Sequence, residues 1–407
     1  MTKTFKPRLR FFEKARNQQH IGEGDRYIYD HGAPAHSICV IGAGTIGQEH
    51  MSVAAMLGRV AVHGIYDANE ASATVAAAHY EASTGRAVVR YKELEQAVTD
   101  PDVDAIMICT PNSTHLEVLE VAAKTGKPIF LEKPMATTVP DARRIVEIAE
   151  SYPTFIQVGL QYRYKAPYVE AFHETLGRRS IGKLHTIAMS EYRPPFLDKV
   201  GQWNKFSEFS GGTLVEKCCH YFDLINLLAQ SPPSRVFATG GCAVNYKDFE
   251  RDGKKADIDD HDFVLIEYEN GIRGSFTLNM FSPHFHEELV LCGERGRLVA
   301  TETFDFHRED TARSAVSIEL GECGPSRTVD VSYTGPVEKS GHHGATFFEH
   351  IAFADQLDGN SADCATPMQG LWSVIVASAA QESVRTGNPV NMSEFIADNK
   401  LSEVVAK

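Results

Sequence analysis

The sequence lacks several features that would assign it to other classes of protein. No apolar run reaches the ~18–20 residues that a membrane-spanning helix needs, and no apolar segment follows the basic residues near the N-terminus as in a secretory signal. Acidic residues outnumber basic ones, 54 to 40, for a net charge of −14, which argues against a nucleic-acid partner or an anionic membrane surface. The eight cysteines include no CxxC pair, so we expect a reduced, cytoplasmic protein.

What is present indicates two domains and an arm. At 407 residues the chain exceeds the roughly 250–300 residues of a single core. Strands alternate with helices from residue 37 to 160, which predicts a doubly wound parallel sheet. Residues 161–407 carry long period-2 stretches that predict an antiparallel sheet, one helix from Thr213 to Gln230, a short strand at 331–333, loops over the rest of 304–341, and two C-terminal helices. Residues 1–36 show no period and are interpreted as an N-terminal arm, with a disordered tail as the alternative.

A glycine-rich turn follows the first buried strand. Gly42, Gly44 and Gly47 have the GxGxxG spacing, and a helix is predicted to begin at Thr45. Such a turn lets a pyrophosphate approach the backbone at the positive end of the helix. Asp67, 20 residues after Gly47, ends the next strand and can accept both ribose hydroxyls of an adenosine. The alternative is a glycine turn that binds no phosphate.

Other polar residues fall at the carboxyl ends of the same strands. Thr110, Pro111 and Asn112 follow the strand at 104–109, and Lys133 follows the strand at 128–131. Ligands of doubly wound sheets collect at this edge. A lysine there can donate to a substrate hydroxyl oxygen as hydride leaves, unless Lys133 is simply a surface lysine.

A second cluster follows the pair Gly211-Gly212. On a continuous helix, Glu216, His220 and Asp223 would share one face. The two acids can then hold the imidazole of His220 and set its basicity, as removal of a hydroxyl proton near neutral pH requires. An ordinary packed histidine is the alternative. Cys218 and Cys219 point to different helix faces and lack a fourth ligand at a sensible spacing, so we expect packing and no metal site.

Three further places are candidates for substrate contact. Arg163 and Tyr164 lie where the two domains meet, although Arg163 can instead pair with an acid. Trp203 can stack on a sugar, although core packing is the alternative. His342 and His343, of which we favour His343, lie in a loop that can bind a polyol hydroxyl or remain solvated.

These motifs, taken together, resemble the glucose–fructose oxidoreductase, inositol dehydrogenase and rhizopine-catabolism (Gfo/Idh/MocA) family. The resemblance rests on VIGAGTIGQEH (40–50), TPNSTH (110–115), EKP (132–134) and the helix carrying His220, and it spans residues 37–400. It implies a Rossmann domain followed by an α/β domain with a large open antiparallel sheet that forms dimers or tetramers. It also implies that Lys133 is catalytic. The family's D-x-G-x-H helix has Glu216 and Cys218 here in place of the acid and the glycine.

The resemblance completes the expected sites. The catalytic residues would be Lys133, His220 and Glu216. Substrate contacts would come from Arg163, Tyr164, Trp203, His220 and His343. The cofactor would contact Gly42, Gly44, Thr45, Ile46, Gly47, Asp67, Thr110, Pro111, Asn112, His115, Glu132 and Lys133.

The expected activity is NAD-dependent oxidation of a secondary hydroxyl of a sugar, glycoside or inositol, or reduction of the matching ketone. NAD is favoured over NADP because Asp67 would repel a 2′-phosphate and no basic residue follows it at 68–70. A second hypothesis is an enzyme that recycles a tightly bound cofactor, as in aldose–aldose transfer or redox-assisted glycoside cleavage. A third is a cofactor-binding regulator without catalysis, against which the intact Lys133 and His220 argue.

Overall fold

The computed structural model describes residues 33–305 and 312–406. The predicted N-terminal arm lies almost wholly outside these residues. Within them, no helix is both long enough and apolar enough to cross a bilayer.

The first sheet is parallel and has six strands in the order β3-β2-β1-β4-β5-β6. Its central strands are buried on both faces because helices cover each side, and every side chain of the strand Ala105–Ile108 is buried, whereas the edge strand Val89–Arg90 is exposed. The strands are β1 (His36–Ile41), β2 (Val60–Tyr66), β3 (Val89–Arg90), β4 (Ala105–Ile108), β5 (Ile129–Glu132) and β6 (Ile156–Gly159). The helices between them are α1 (Thr45–Leu57), α2 (Glu70–Thr84), α3 (Leu94–Thr99), α4 (His115–Ala122) and α5 (Val139–Glu150). This confirms the predicted doubly wound Rossmann fold.

The helices of this half begin and end where local chemistry dictates. Asn69 caps α2 by accepting from two backbone N–H groups, and the Thr138 hydroxyl accepts from Asp141 N at the start of α5. Gly58 takes a left-handed conformation, with φ of 72°, and ends α1.

The second sheet has nine strands in the order β16-β15-β14-β13-β7-β12-β11-β8-β17. Its strands are β7 (Leu184–Tyr192), β8 (Pro233–Gly241), β11 (His261–Tyr268), β12 (Arg273–Asn279), β13 (Phe285–Gly293), β14 (Gly296–Phe304), β15 (Arg313–Glu319), β16 (Arg327–Asp330) and β17 (Val390–Asn391); β9 (Glu250–Arg251) and β10 (Lys254–Lys255) form a separate ribbon. The helices are α6 (Ala166–Phe172), α7 (Ser207–Ser210), α8 (Thr213–Glu216), α9 (Cys219–Ala229), α10 (Gly335–Glu338), α11 (Ala345–Leu357), α12 (Pro367–Thr386), α13 (Met392–Asp398) and α14 (Ser402–Val405).

The second sheet is mostly antiparallel, as predicted, although β7 and β12 pair in parallel. Three other expectations about this half are wrong. The region 304–341 contains β15 and β16 rather than loops alone, and residues 331–333 form no strand. The expected continuous helix from Thr213 to Gln230 is two helices, α8 and α9, separated at Lys217 and Cys218.

The chain returns to the first sheet near its C-terminus. Phe347 and Phe353 of α11 are fully buried in the same core as Ile38 and Phe130 of the Rossmann sheet. The rings of Phe130 and Phe353 meet edge to face, with centroids 5.7 Å apart. A helix from the second half therefore covers one face of the first sheet and brings the loop before it, residues 341–344, beside the strand ends.

Candidate active site

The three glycines of the turn have different surroundings. A Cβ on Gly42, whose φ is 96°, would lie 2.6 Å from the carbonyl of Cys109, and a Cβ on Gly47 would lie 2.0 Å from the oxygen of Gly42. Gly42 and Gly47 thus allow the turn to pack against β4 and α1 against the turn. Gly44 has no atom within 4 Å of the place a Cβ would take, so its backbone faces open space into which a diphosphate fits.

The start of α1 is suited to an anion. No side chain caps it and its first turn contains no acidic residue, so its N–H groups and positive dipole end are free for a phosphate. Asp67 lies beside this turn, because its carboxylate accepts from Ala43 N and Asn69 N at 2.7 Å each. The start of α1, with Thr45 and Ile46, and the carboxylate of Asp67 therefore lie at the same edge of the sheet. The open space beside Gly44 at this edge fits an adenine dinucleotide.

The loop after β4 is fixed by a buried histidine. The two ring nitrogens of His115 lie 2.8 Å from the oxygen of Pro134 and 3.0 Å from that of Thr110. His115 thus joins the loops after β4 and β5; the expectation that it contacts the cofactor stays a prediction. Asn112 Nδ2 donates to Ser210 O. The Thr110 hydroxyl is buried without a hydrogen-bond partner among the described residues, so it is available to a ligand.

The end of β5 places Lys133 toward the second half of the chain. Glu132 accepts from Lys133 N, and its other carboxylate oxygen lies 2.8 Å from Nε2 of His50 in α1. These contacts fix the backbone on which Lys133 stands, before a cis peptide bond to Pro134. The Lys133 ammonium donates to the carbonyl oxygen of Glu216 at 3.2 Å. The lysine therefore reaches the segment that carries His220.

The two acids expected to hold His220 do not contact it. Asp223 forms a bidentate pair with Arg163, at 2.7 Å and 2.6 Å, and neither acid has a hydrogen bond to His220 among the described residues. The expectation that Glu216 and Asp223 hold the imidazole is wrong: Glu216 lies on α8, before the break, and Asp223, on the same helix as His220, is bound by Arg163. One carboxylate oxygen of Glu216 is buried without a partner there.

An aromatic ring holds His220 instead. Its ring stacks on Tyr162, with centroids 4.0 Å apart and an interplanar angle of 10°. His220 is 1% exposed, and its Nδ1 has no partner among the described residues. Burial lowers the pKa of His220 well below 6.5, and the nearby charges of Lys133 and Lys217 lower it further. The imidazole is therefore neutral near pH 7 and able to accept a proton.

This surrounding predicts the pH dependence of turnover. Because the pKa of His220 is lowered, the imidazole gains its inhibitory proton only well below pH 6.5. We expect kcat/KM for hydroxyl oxidation to stay level as the pH falls through 6.5 and to decline only at lower pH. A pH profile of kcat/KM measures this, and a decline centred at or above pH 6.5 would contradict it.

Tyr162 belongs to a buried group that the sequence analysis missed. The ammonium of Lys165 lies 4.1 Å from the Tyr162 ring centroid and is held by Glu287 and Glu302 at 2.6 Å and 2.7 Å. Lys217 Nζ donates to the Tyr162 hydroxyl at 2.5 Å and pairs with Glu191, and burial lowers the pKa of Lys217 to about 8. The sequence analysis singles out the next two residues, Arg163 and Tyr164, as substrate contacts, whereas Tyr162 is the residue that stacks on His220.

Two of the expected substrate contacts, Arg163 and Tyr164, are bound by other residues of the protein. Arg163 is occupied by Asp223 and Gln369, and the Tyr164 hydroxyl donates to Asp363 O. The alternative that Arg163 pairs with an acid is therefore correct, and both side chains are used within the fold. Trp203 is half-buried in the short helical segment Val200–Lys205.

The two histidines of the loop 341–344 point to different partners. His343 Nδ1 lies 2.9 Å from a carboxylate oxygen of Glu302, whereas the His342 ring lies against Tyr162 with centroids 6.0 Å apart. The expectation singled out His343, but His342 is the histidine beside the ring that supports His220.

Comparisons with known proteins agree with this architecture. Residues 36–160 match the model of the GFO_IDH_MocA oxidoreductase family, NAD-binding Rossmann fold, and residues 173–392 match its C-terminal alpha/beta domain. A myo-inositol 2-dehydrogenase of Thermotoga maritima is 26% identical over 291 residues, covering 70% of this chain and 80% of the relative. A scyllo-inositol 2-dehydrogenase (NAD(+)) of Bacillus subtilis is 25% identical over 73% of this chain and 80% of its own length.

A solved structure of similar fold is a levoglucosan dehydrogenase in complex with NADH and levoglucosan. It has a TM-score of 0.70 and 20% identity, and the match covers 88% of this chain and 99% of that one. From the two family models, which together match most of the sequence, the chain belongs to the Gfo/Idh/MocA family of oxidoreductases, and its first domain is that family's NAD-binding Rossmann fold.

Proposed function

We propose that this oxidoreductase oxidises a secondary hydroxyl of a sugar, glycoside or inositol with NAD⁺, or reduces the matching ketone. The observation that carries the proposal is that Lys133, at the edge of the cofactor domain, contacts the segment that precedes His220. The lysine extends from the cofactor domain to the carbonyl of Glu216, four residues before a neutral, buried imidazole on α9. The names of the inositol dehydrogenases similar to this chain support the substrate class.

Each side chain of the proposed site has its own role in the reaction. NAD⁺ held at the glycine turn supplies the hydride acceptor. Lys133 donates a hydrogen bond to the substrate oxygen and stabilises the negative charge that develops there. His220 accepts the hydroxyl proton, and its stacking on Tyr162 holds the ring in place. The unpartnered carboxylate oxygen of Glu216 is available to a neighbouring hydroxyl of the substrate, so we retain Glu216 as a site residue.

We propose NAD rather than NADP as the physiological cofactor. The Asp67 carboxylate is held at the turn by two backbone N–H groups, where an adenosine ribose would lie. A 2′-phosphate at that place would meet this negative charge, and residues 68–70 offer no basic side chain to compensate. Parallel titrations with NADH and NADPH would test this, and tighter binding of NADPH would contradict it.

A screen at the NADH absorbance band tests the activity. The purified protein is incubated with NAD⁺ and a panel of inositols, aldoses, glycosides and anhydrosugars. We expect at least one cyclic polyol to produce NADH. Product formation without added NAD⁺ and without net NADH would instead indicate a recycled, tightly bound cofactor. NAD binding with no turnover of any panel member in either direction would contradict the proposal.

We further propose a homodimer or homotetramer formed through the second sheet. Phe237 on β8 and Phe263 and Leu265 on the neighbouring strand β11 are 36%, 53% and 55% exposed, an apolar patch of the kind that interfaces cover. We expect Leu265→Glu to reduce the molar mass measured by light scattering to that of a smaller assembly. A wild-type monomer at micromolar concentration would contradict this. The expected cytoplasmic location stays a prediction.

A further inference from the structure

His220 needs a group to which it can pass its proton. It is 1% exposed, and its Nδ1 has no partner among the described residues. If it accepts a proton in each turnover, as the proposed function on which this inference rests requires, that proton must leave before the next cycle. Because the ring is almost wholly enclosed, a neighbouring side chain that reaches solvent would carry the proton away.

Three lysines near His220 do not meet this need. Lys133, Lys217 and Lys165 are the other cationic side chains that act on its pKa. Lys165 is bound between two carboxylates, and Lys217 is bound between Tyr162 and Glu191. Both are at least 90% buried, so neither can exchange protons directly with water. Lys133 is assigned to the substrate oxygen.

His342 differs from these lysines because it reaches solvent. Its side chain is 26% exposed and lines an open surface pocket together with Glu338, Lys339 and Ser340. Its other side faces the Tyr162 ring, on which His220 stacks, and its charge is among those that lower the pKa of His220. The imidazoles of His220 and His342 therefore lie against the same tyrosine ring, and His342 is the one that reaches solvent.

Glu49 of α1 holds the His342 ring in place. A carboxylate oxygen of Glu49 lies 2.8 Å from His342 Nδ1 and accepts from the Thr346 hydroxyl at 2.7 Å. Burial would raise the pKa of Glu49, but His342 and Thr346 together lower it to about 2. The carboxylate binds the ring through Nδ1 and leaves Nε2 for proton exchange.

The loop backbone is strained in a way that serves this arrangement. His342 and His343 have φ values of 50° and 55°, in a left-handed region that costs free energy for residues other than glycine. A Cβ on the preceding Gly341 would lie 2.0 Å from the carboxylate of Glu49. The loop is thus pressed against Glu49, and such strain is typical of functional sites.

We propose that His342, paired with Glu49, relays the substrate proton from His220 to solvent. In the oxidative direction the substrate C–H bond breaks and its hydride goes to NAD⁺, while the O–H bond breaks and its proton goes to His220. His220 then releases that proton to His342, which releases it to water in the surface pocket. The products are the ketone, NADH and one proton in solution. His342 acts through His220 and does not contact the substrate.

The test uses His342→Gln in the full-length protein, with its substrate and NAD⁺. We expect kcat to fall at least about tenfold in dilute buffer, while NADH binding stays unchanged. Added imidazole should restore turnover in a saturable manner, because a free base can replace the missing one. Glu49→Gln should give a smaller loss with the same rescue. His185→Gln, an exposed histidine on β7, is the matched control and should behave as wild type.

The outcomes separate the relay from the activity itself. Wild-type turnover in His342→Gln, or a loss that neither imidazole nor buffer concentration changes, would overturn the relay and leave the dehydrogenase activity standing. Absence of activity in the wild type would remove both. If His342→Gln does not fold, judged by its thermal transition, buffer-independent turnover of Glu49→Gln would overturn the relay.

Discussion

Replacement of Lys133 by methionine is expected to lower turnover by about 10³-fold while NADH still binds. Methionine keeps a side chain of similar length but removes the ammonium, which donates to the oxygen where negative charge develops. The wild-type contact with Glu216 O is a single, partly buried hydrogen bond, so its loss should leave the fold intact. Steady-state kinetics and titration of NADH fluorescence measure the two effects separately.

The matched control for this substitution is Lys92→Met. Lys92 is exposed and lies at the end of neither β4 nor β5. It should keep wild-type turnover. Lys133→Met with unchanged kcat would show that Lys133 has no part in the reaction. Equal losses of NADH binding and turnover would show that Lys133 serves the cofactor alone.

Valine at position 44 is expected to abolish cofactor binding without unfolding the protein. The backbone of Gly44, with φ of −72° and ψ of −164°, is open to any residue, and the added side chain would meet no protein atom. It would instead fill the space that the diphosphate needs. We expect the Kd for NADH to rise at least about 100-fold, or about 2.8 kcal/mol, with a thermal transition within a few degrees of wild type.

Gly47→Val provides the contrast. Its Cβ would meet the backbone oxygen of Gly42 at 2.0 Å, so α1 could not stay packed on the turn and the variant should unfold or aggregate. If Gly44→Val binds NADH as wild type does, the turn does not hold the diphosphate. If both variants unfold alike, Gly44 is a packing glycine.

The first half of the fold could be predicted closely because its signals are local. The helix predicted to begin at Thr45 does begin there, and it ends at Leu57 because the following glycine is left-handed. The helix Val139–Glu150 begins after a threonine cap and has a proline in its first turn. The buried strands read as apolar runs bounded by polar turns. The parallel order of six strands followed from their alternation with helices.

The features that the sequence analysis missed depend on contacts between segments that are far apart in the chain. The edge strand β16 is exposed along its whole length, and β15 buries only Val316 and Ile318. Pairing defines these strands: β15 pairs with β14, and β16 pairs with β15. The parallel pairing of β7 with β12 joins segments about 90 residues apart. No local pattern encodes either contact, nor the return of α11 to the Rossmann sheet.

The site shows the same division. The motifs single out Lys133 and His220, and the structure places Lys133 against Glu216, in the segment before His220; their catalytic roles stay a prediction. The partners of His220 were not predictable, because Arg163, from a distant part of the chain, binds Asp223 and the imidazole stacks on Tyr162. The ammonium of Lys165, the residue before α6, binds Glu287 on β13 and Glu302 on β14. These residues are far apart in the sequence, so no spacing along the chain could have predicted the contacts.

The transfer of deuterium from substrate to cofactor tests the central claim most directly. A polyol found to be a substrate is labelled with deuterium at the carbinol carbon and incubated with the enzyme and NAD⁺ for a single turnover. The account predicts NADH one mass unit heavier and a slower rate than with unlabelled polyol. NADH without deuterium, or a labelled product ketone, would contradict direct hydride transfer at the site between Lys133 and His220.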